Sequence, residues 1–258
     1  MILRRVIQHV KKQEWTAIWI DLLIVVVGVF IGIQVSNWNA ARADNVRAKA
    51  YLTRIQDNLN TDYASIERRE VMWKQVYDYG NAAIRYAETG ELVDGSAWKT
   101  LVAFYQASQL WPWATTNTTY QELRNGGELG LIKDESLRGA LSKYYTEGTG
   151  DDADYILAFQ PEYRKTVRGL TPSVASKQIW SRCWKQTKAD EQFLLPDCPS
   201  PMPEAEAQKV LDAYLKDPQL LSELRFWIAN QGVAITVIAT NKFSVETMLE
   251  RMEKETEQ

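Results

Sequence analysis

Histidine is nearly missing from this chain of 258 residues, which has a single copy, His9. Histidine is the commonest general base of enzymes and a frequent zinc ligand, so its scarcity removes most histidine-based catalysis and most zinc sites. Everything after residue 9 has none, so a Ser-His-Asp or Cys-His unit cannot form there from this chain alone.

Short catalytic motifs are missing as well: there is no GxSxG, HExxH, Walker loop or GxGxxG. Carboxylate pairs suited to glycoside chemistry remain, with Glu122 and Glu128 or Glu147 and Asp151 as candidates. Capping of helices explains these acids more simply. The sequence therefore predicts no catalytic residue and no cofactor.

An acidic cluster, Asp151, Asp152 and Asp154, raises the question of calcium. The ligand spacing of an EF-hand is absent, and acids are favoured at the start of any helix. We therefore predict no metal site.

Neither sign of charge predominates, since the chain has 30 basic and 33 acidic residues and a net charge of −3. This balance excludes a nucleic-acid binder driven by a strongly basic surface, so no nucleic-acid partner is expected. Ten Trp, twelve Tyr and six Phe exclude global disorder, because they can build a core.

Apolar residues are concentrated near the start, where only Asp21 and Gln34 interrupt residues 18–35. Such a run is long enough for a transmembrane helix, and tryptophans at positions 15, 19 and 38 flank it as an aromatic belt would. A helix over residues 15–38 would be about 35 Å long at roughly 1.5 Å per residue. We predict a single-pass membrane protein.

The flanks of this span predict its orientation. Residues 1–14 carry four basic residues and one acid, whereas the charges after the span are mixed. The positive-inside rule then places residues 1–14 in the cytoplasm, as a basic tail or an amphipathic helix on the inner leaflet. Residues 39–258 are expected outside the cytoplasm, which means the periplasm if the host is a Gram-negative bacterium. The alternative is a cleaved signal peptide, for which Ala41 and Ala43 offer small residues.

One face of the span carries small and polar residues at helical spacing: Asp21, Val25, Gly28, Gly32 and Ser36. A GxxxG pair lets two helices approach closely, and a carboxyl group can bond to a partner. The face predicts self-association or a membrane protein partner besides the lipid bilayer. The simpler interpretation is that glycine is common in such helices and that Asp21 only reaches the interface.

The remainder reads as an all-α domain. Residues 41–88 and the last helix, after Asp217-Pro218, show apolar residues at three- and four-residue steps, and shorter helices lie between them. The two long helices are expected to pack together as a spine. The β-branched run GVAITVIAT in the last helix is interpreted as a buried helix.

Residues 170–203 differ in composition from the rest of the chain and are predicted to be an irregular, proline-rich segment. Cys183 and Cys198 bracket part of it with 14 residues between them. In an oxidising compartment this pair predicts a disulfide, which would contribute about 3 kcal/mol by the chain-entropy model.

Aromatic and polar residues are densest at Trp111, Trp113, Tyr120 and Arg124. Such a group can form a pocket or partner surface, or it can fill the junction between short helices. The second interpretation is preferred, because aromatic residues dominate core packing.

Two segments resemble one known family. The span ending in VFIGIQVSNWNAAR and the block TTYQELRNGGELGLIKDESLRGALSKYY at residues 118–145 are similar to the anchor and central block of a bacterial single-pass membrane family whose domain has no assigned function. The resemblance covers the anchor, the first long helix and this block, about half the chain, and leaves out the proline-rich segment with the cysteines. It implies a bacterial single-pass anchor with a helical ectodomain. It implies no reaction.

These observations favour a non-enzymatic interaction protein of the membrane: an accessory, scaffolding or assembly subunit. The alternatives are a ligand-sensing ectodomain that signals through a partner and a carboxylate-based hydrolase of the cell envelope.

Overall fold

The computed structural model describes residues 15–112, 114–146, 161–188 and 191–256. The chain divides into two compact units, residues 1–53 and residues 54–258. The predicted tail at residues 1–14, with His9, lies outside the described residues.

Eight α-helices and one β-hairpin make up the described residues, with single turns of 3₁₀ helix at Val93–Gly95 and Leu129–Leu131. The α-helices are α1 (Trp15–Thr89), α2 (Ala97–Gln106), α3 (Thr118–Asn125), α4 (Glu135–Thr146), α5 (Glu162–Leu170), α6 (Ser173–Arg182), α7 (Glu204–Lys216) and α8 (Leu220–Thr256). The strands β1 (Trp184–Lys188) and β2 (Glu191–Leu194) pair antiparallel between α6 and α7. The chain is mostly helical, as predicted.

The first unit contains the apolar half of α1. Its most apolar window of 18 residues has a mean hydropathy of 2.5, and none of that window is buried. Among the described residues this is the one helix long and apolar enough to cross a membrane. A membrane anchor and a signal sequence both have this length and composition.

The second unit is built on the antiparallel packing of residues 54–89 of α1 against α8, in line with the expected spine. Both helices bury one residue at alternating steps of three and four, the spacing of helices that pack along their length. The buried positions of this series are Ile55, Leu59, Asp62, Ile66, Arg69, Trp73, Val76, Gly80 and Ala83 on α1, and Leu220, Leu224, Trp227, Gln231, Ala234, Ile238, Asn241, Val245, Met248 and Met252 on α8. Met72, Tyr86 and Ile228 are buried beside it. The facing pairs are Glu88–Arg225, Gly80–Ile228, Tyr77–Gly232, Glu67–Lys242 and Tyr63–Glu246.

Helix α2 is almost entirely buried, and α7 packs against it. The start of α2 is capped twice. The Ser96 hydroxyl accepts a hydrogen bond from the Lys99 amide, and the Glu204 carboxylate accepts the amides of Ala97 and Trp98 at 2.6 and 3.2 Å. These bonds satisfy amide groups that a helix leaves without partners at its start.

The segment 170–203 is more regular than the sequence predicted. It contains all of α6 and the β-hairpin, and the part without regular structure begins at Leu195. The strands were missed because they are short and mostly polar, with no alternation of apolar residues to mark a buried face.

The predicted cysteine pair is brought together by this hairpin. The sulfur atoms of Cys183 and Cys198 lie at disulfide-bonding distance, and their Cα atoms are 4.9 Å apart. Both residues are also held by α2, since Gln106 donates to the Cys183 carbonyl at 3.0 Å and Trp98 donates to the Cys198 carbonyl at 2.7 Å. The cysteine segment is therefore attached to the central helix.

Candidate interaction surfaces

The small-residue face of the first unit lies on one side of α1. A Cβ atom added at Gly28 or Gly32 would meet nothing within 4 Å, and Val25 is about half exposed. Asp21, Val25, Gly28, Gly32 and Ser36 recur at three- and four-residue steps and therefore share this side. In the first unit the face is open to a neighbouring helix.

The aromatic group predicted at residues 111–124 is divided by the structure. Trp111 and Tyr120 are buried in the second unit, Arg124 is exposed, and Trp113 lies outside the described residues. The guanidinium of Arg69 lies 4.3 Å from the Trp111 ring centroid, and Trp73 donates to the Trp111 carbonyl at 3.3 Å. Trp111 and Tyr120 thus pack in the core, which is the interpretation the sequence favoured.

A buried carboxylate, Asp62, lies beside this junction. It accepts a hydrogen bond from the Thr116 amide at 2.8 Å and another from the Tyr144 hydroxyl at 2.9 Å. Burial raises the pKa of Asp62 above its ordinary 3.8, against the lowering effect of these bonds and of Arg69. The bonds attach the segment before α3, and α4, to α1, so Asp62 has a structural role.

Two half-buried arginines of α5 lie at the end of α2. Arg168 donates to the Ser108 hydroxyl at 2.9 Å and to the Gln109 side chain at 3.0 Å, and Arg164 donates to the Ser108 carbonyl. Burial, together with the neighbouring Arg168, lowers the pKa of Arg164 to about 10. Cations are stabilised at the end of a helix by its terminal carbonyl groups, which explains this pair without a ligand.

Of the two carboxylate pairs considered for hydrolysis, the structure describes only Glu122 and Glu128. Glu122 forms an ion pair with Arg54, while Glu147 and Asp151 lie outside the described residues, as do Asp152 and Asp154. Within the described ranges, no group of three or more His, Cys, Asp or Glu residues is placed to hold a metal ion.

The outer face of α8 is the surface that the sequence did not predict. Phe226, Val233 and Phe243 expose 67%, 53% and 69% of their surfaces, on the side of α8 opposite its buried residues. No charged residue occurs between Phe226 and Asn241. Exposed apolar residues that line up on one face, without charges among them, are typical of an interaction site. We call this the outer stripe: Phe226, Ala229, Val233, Thr236, Thr240 and Phe243.

The threonines of the outer stripe satisfy their hydroxyl groups within α8. Thr236 donates to the Gly232 carbonyl and Thr240 to the Thr236 carbonyl, both at 3.1 Å. Each threonine hydroxyl therefore donates its hydrogen bond to the backbone of its own helix, and the threonine methyl groups add to the apolar character of the stripe.

A half-open cleft of about 320 Å³ adjoins one end of the outer stripe and shares Phe226 with it. Two carboxylates border the cleft, and both have partners: Glu162 lies 3.7 Å from Lys165, and Glu223 accepts a hydrogen bond from Thr166 at 3.1 Å. This is not the pair of facing, unpartnered carboxylates that a hydrolase would need.

The prediction that the GVAITVIAT run is buried was wrong for one side of the helix. Ile238 and Ala234 are buried, but Val233, Thr236 and Thr240 are exposed. β-branched residues occur on both sides of the run, so composition alone could not separate them. The alternation of three and four residues from Phe226 to Phe243 could not separate them either, because the buried residues of α8 follow the same alternation.

Comparison with models of protein families, with curated proteins and with solved structures finds no match to this chain.

Proposed function

We propose that this chain is a membrane-anchored, non-enzymatic interaction protein: an accessory, scaffolding or assembly subunit of an inner-membrane complex. The observation that carries the proposal is the outer stripe of α8. A helix that packs one face in the core and leaves phenylalanine and valine exposed on the other is typical of a chain that docks against another protein.

The apolar helix of the first unit supports the membrane part of this proposal. We place residues 1–14 in the cytoplasm, residues 15–38 in the bilayer and residues 39–258 in the periplasm, in agreement with the basic tail and with a cysteine pair at disulfide distance. The resemblance to an uncharacterised bacterial single-pass family agrees with the same arrangement.

Purification in mild detergent tests the interaction. The full chain, expressed in its own host, should migrate above its monomer mass on native electrophoresis, alone or with a second protein. The exchange Val233→Arg, which places a charge in the outer stripe, should restore the monomer mass. Val71 of α1 exposes 56% of its surface, close to the 53% of Val233, so Val71→Arg is the matched control and should change nothing. A wild-type chain that runs as a bare monomer would refute the proposal.

Topology is tested separately by cysteine accessibility. Ser222, exposed in the second unit, is replaced by Cys. In intact spheroplasts a membrane-impermeant maleimide should label this cysteine. Labelling that requires lysis would contradict the periplasmic location.

The cleft beside Phe226 favours one second candidate, a ligand-sensing ectodomain. Its lining combines Phe226, Trp227 and Tyr163 with the polar Asn230 and Ser222, a mixture common in small-molecule sites. A thermal-shift screen tests it: a ligand that stabilises the wild-type chain but not Asn230→Leu would support sensing. A screen without such a ligand would leave the cleft as a packing feature.

A further inference from the structure

We infer that the outer stripe pairs with the outer stripe of a second copy of this chain, so that two α8 helices form a short two-stranded coiled coil. This inference rests on the proposed function and names the partner.

The spacing of the outer stripe is that of a coiled-coil seam. Its residues follow one another at steps of three, four, three, four and three, so they occupy alternating a and d positions of the heptad. Phe226 and Phe243 are 17 positions apart, which is about 26 Å at roughly 1.5 Å per residue. The buried face of α8 has the same period, so the helix is organised for packing on both sides.

The charges that border the outer stripe favour a second copy of the same chain as its partner. Glu246 lies at the edge that faces α1, and Arg251 lies at the other edge. When two α8 helices pair in parallel, Glu246 falls opposite Arg251 of the second copy, as g and e positions do in such coils. When they pair antiparallel, Glu246 falls opposite Arg225 of the second copy. Both directions match opposite charges, but parallel pairing that extends to Arg251 also places Glu250, exposed on the same face, opposite Glu250 of the second copy. The antiparallel direction brings no like charges together, so the charges favour it.

The side chains of the outer stripe also suit a mirrored partner. Phenylalanine stands at each end, with alanine, valine and threonine between, so in either direction a large residue meets a large one at both ends. The small central residues let the two helices approach. A stripe this short binds weakly by itself, but two copies held in one membrane meet at a high effective concentration.

Cysteine cross-linking of the full-length chain in native membranes tests the inference. Val233→Cys is placed in the middle of the outer stripe, and Val71→Cys, with nearly the same exposure, is its control on α1. Mild oxidation should shift Val233→Cys to twice the monomer mass on non-reducing gels, while Val71→Cys stays at the monomer mass. The two native cysteines lie at disulfide distance from each other, so the engineered thiol is the reactive one.

Three other outcomes separate this inference from the proposed function. If Val233→Cys becomes linked to a different protein, the chain is an interaction protein but its partner is not a second copy. If Val71→Cys cross-links as readily as Val233→Cys, the contact is unspecific and the inference fails. If neither variant cross-links and the wild-type chain carries no partner, both proposals fail.

A second measurement guards against a trivial result from misfolding. Val233→Arg should shift the wild-type dimer to monomer in sedimentation, with an unchanged circular dichroism spectrum and melting temperature, because residue 233 is exposed. A folded Val233→Arg variant that remains dimeric would overturn the inference.

Discussion

Ile228 of α8 packs tightly against Gly80 of α1, and replacing this glycine by alanine tests the packing of the two long helices. A Cβ atom at this position would lie closer than 3.0 Å to both the Cγ1 and Cδ1 atoms of Ile228, and 3.6 Å from its Cβ. Ile228 is 3% exposed, so its side chain cannot swing into solvent. The variant must therefore displace Ile228 within the core or separate the helices.

The size of the effect follows from two opposing contributions. Inserting a methyl group into a packed core destabilises a protein by about 1–3 kcal/mol, and we expect the upper half of this range because two atoms overlap. Replacing glycine by alanine within a helix contributes about 1 kcal/mol in the opposite direction. Gly80→Ala should thus lower the free energy of unfolding by about 1–2 kcal/mol.

Gly139 supplies the matched control. It is also a helical glycine, but a Cβ atom there would meet nothing within 4 Å, so Gly139→Ala should stabilise by about 1 kcal/mol. The difference between the two variants isolates the overlap. It should appear as melting temperatures about 5–10 °C apart, at roughly 2–4 °C per kcal/mol for a unit of this size.

The assay is thermal unfolding of the full chain in mild detergent, followed by circular dichroism. A second variant, Ile228→Ala, removes both overlapping atoms, and in that background Gly80→Ala should no longer destabilise. If Gly80→Ala is as stable as Gly139→Ala, the close packing of α1 on α8 at this position is refuted.

Three further predictions concern the second unit. Replacing both Cys183 and Cys198 by alanine should lower the free energy of unfolding by about 3 kcal/mol, as expected for a loop of this size, and adding a reductant to the wild-type chain should have the same effect in urea titration. Glu204→Gln should destabilise the chain at neutral pH and progressively less in acid. Burial acts to raise the pKa of Glu204, but hydrogen bonds from Ser96, Trp98 and Ala97 lower it, so the stabilisation by Glu204 is present above the unfolded-state pKa and is lost as the pH falls through the folded-state pKa. A loss of stability that does not depend on pH would contradict this. Asp62 should behave in the opposite way, because burial raises its pKa, so its contribution to stability is full below the unfolded-state pKa and declines as the pH rises. In urea titrations, the stability of the wild-type chain relative to Asp62→Asn should therefore decrease from acid to neutral pH. A relative stability that increases over this range would contradict the prediction.

The long helices were predictable because their apolar residues repeat at helical spacing over many turns, and tertiary packing reinforces that pattern. The disulfide pairing was predictable because the chain has only two cysteines. Asp62 was not, since a charged residue between Leu59 and Ile66 normally lies in solvent. Its burial depends on the Thr116 amide and the Tyr144 hydroxyl, which are far away in the sequence.

The two candidate surfaces likewise differ in whether they can be predicted from the sequence. The small-residue face of the first unit can be found from the sequence, because a single helix fixes which residues share a side. The outer stripe of α8 cannot be found without knowing which side α1 covers. Both sides of α8 carry uncharged residues at heptad spacing, and only long-range packing decides that Val233 is exposed and Ile238 is buried.

The pairing of α1 with α8 also has a consequence for how the chain folds. The hydrogen bond between Tyr63 and Glu246 joins residues 183 positions apart, and the ion pair between Glu88 and Arg225 joins residues 137 positions apart. Contacts between such distant residues form slowly, because a long loop must close first. During synthesis the buried side of α1, with Asp62 and Arg69 among its apolar residues, emerges long before α8 can cover it. The apolar face of α1 therefore stays exposed until nearly all of the second unit has been synthesised. We expect the nascent chain to depend on a chaperone during that interval.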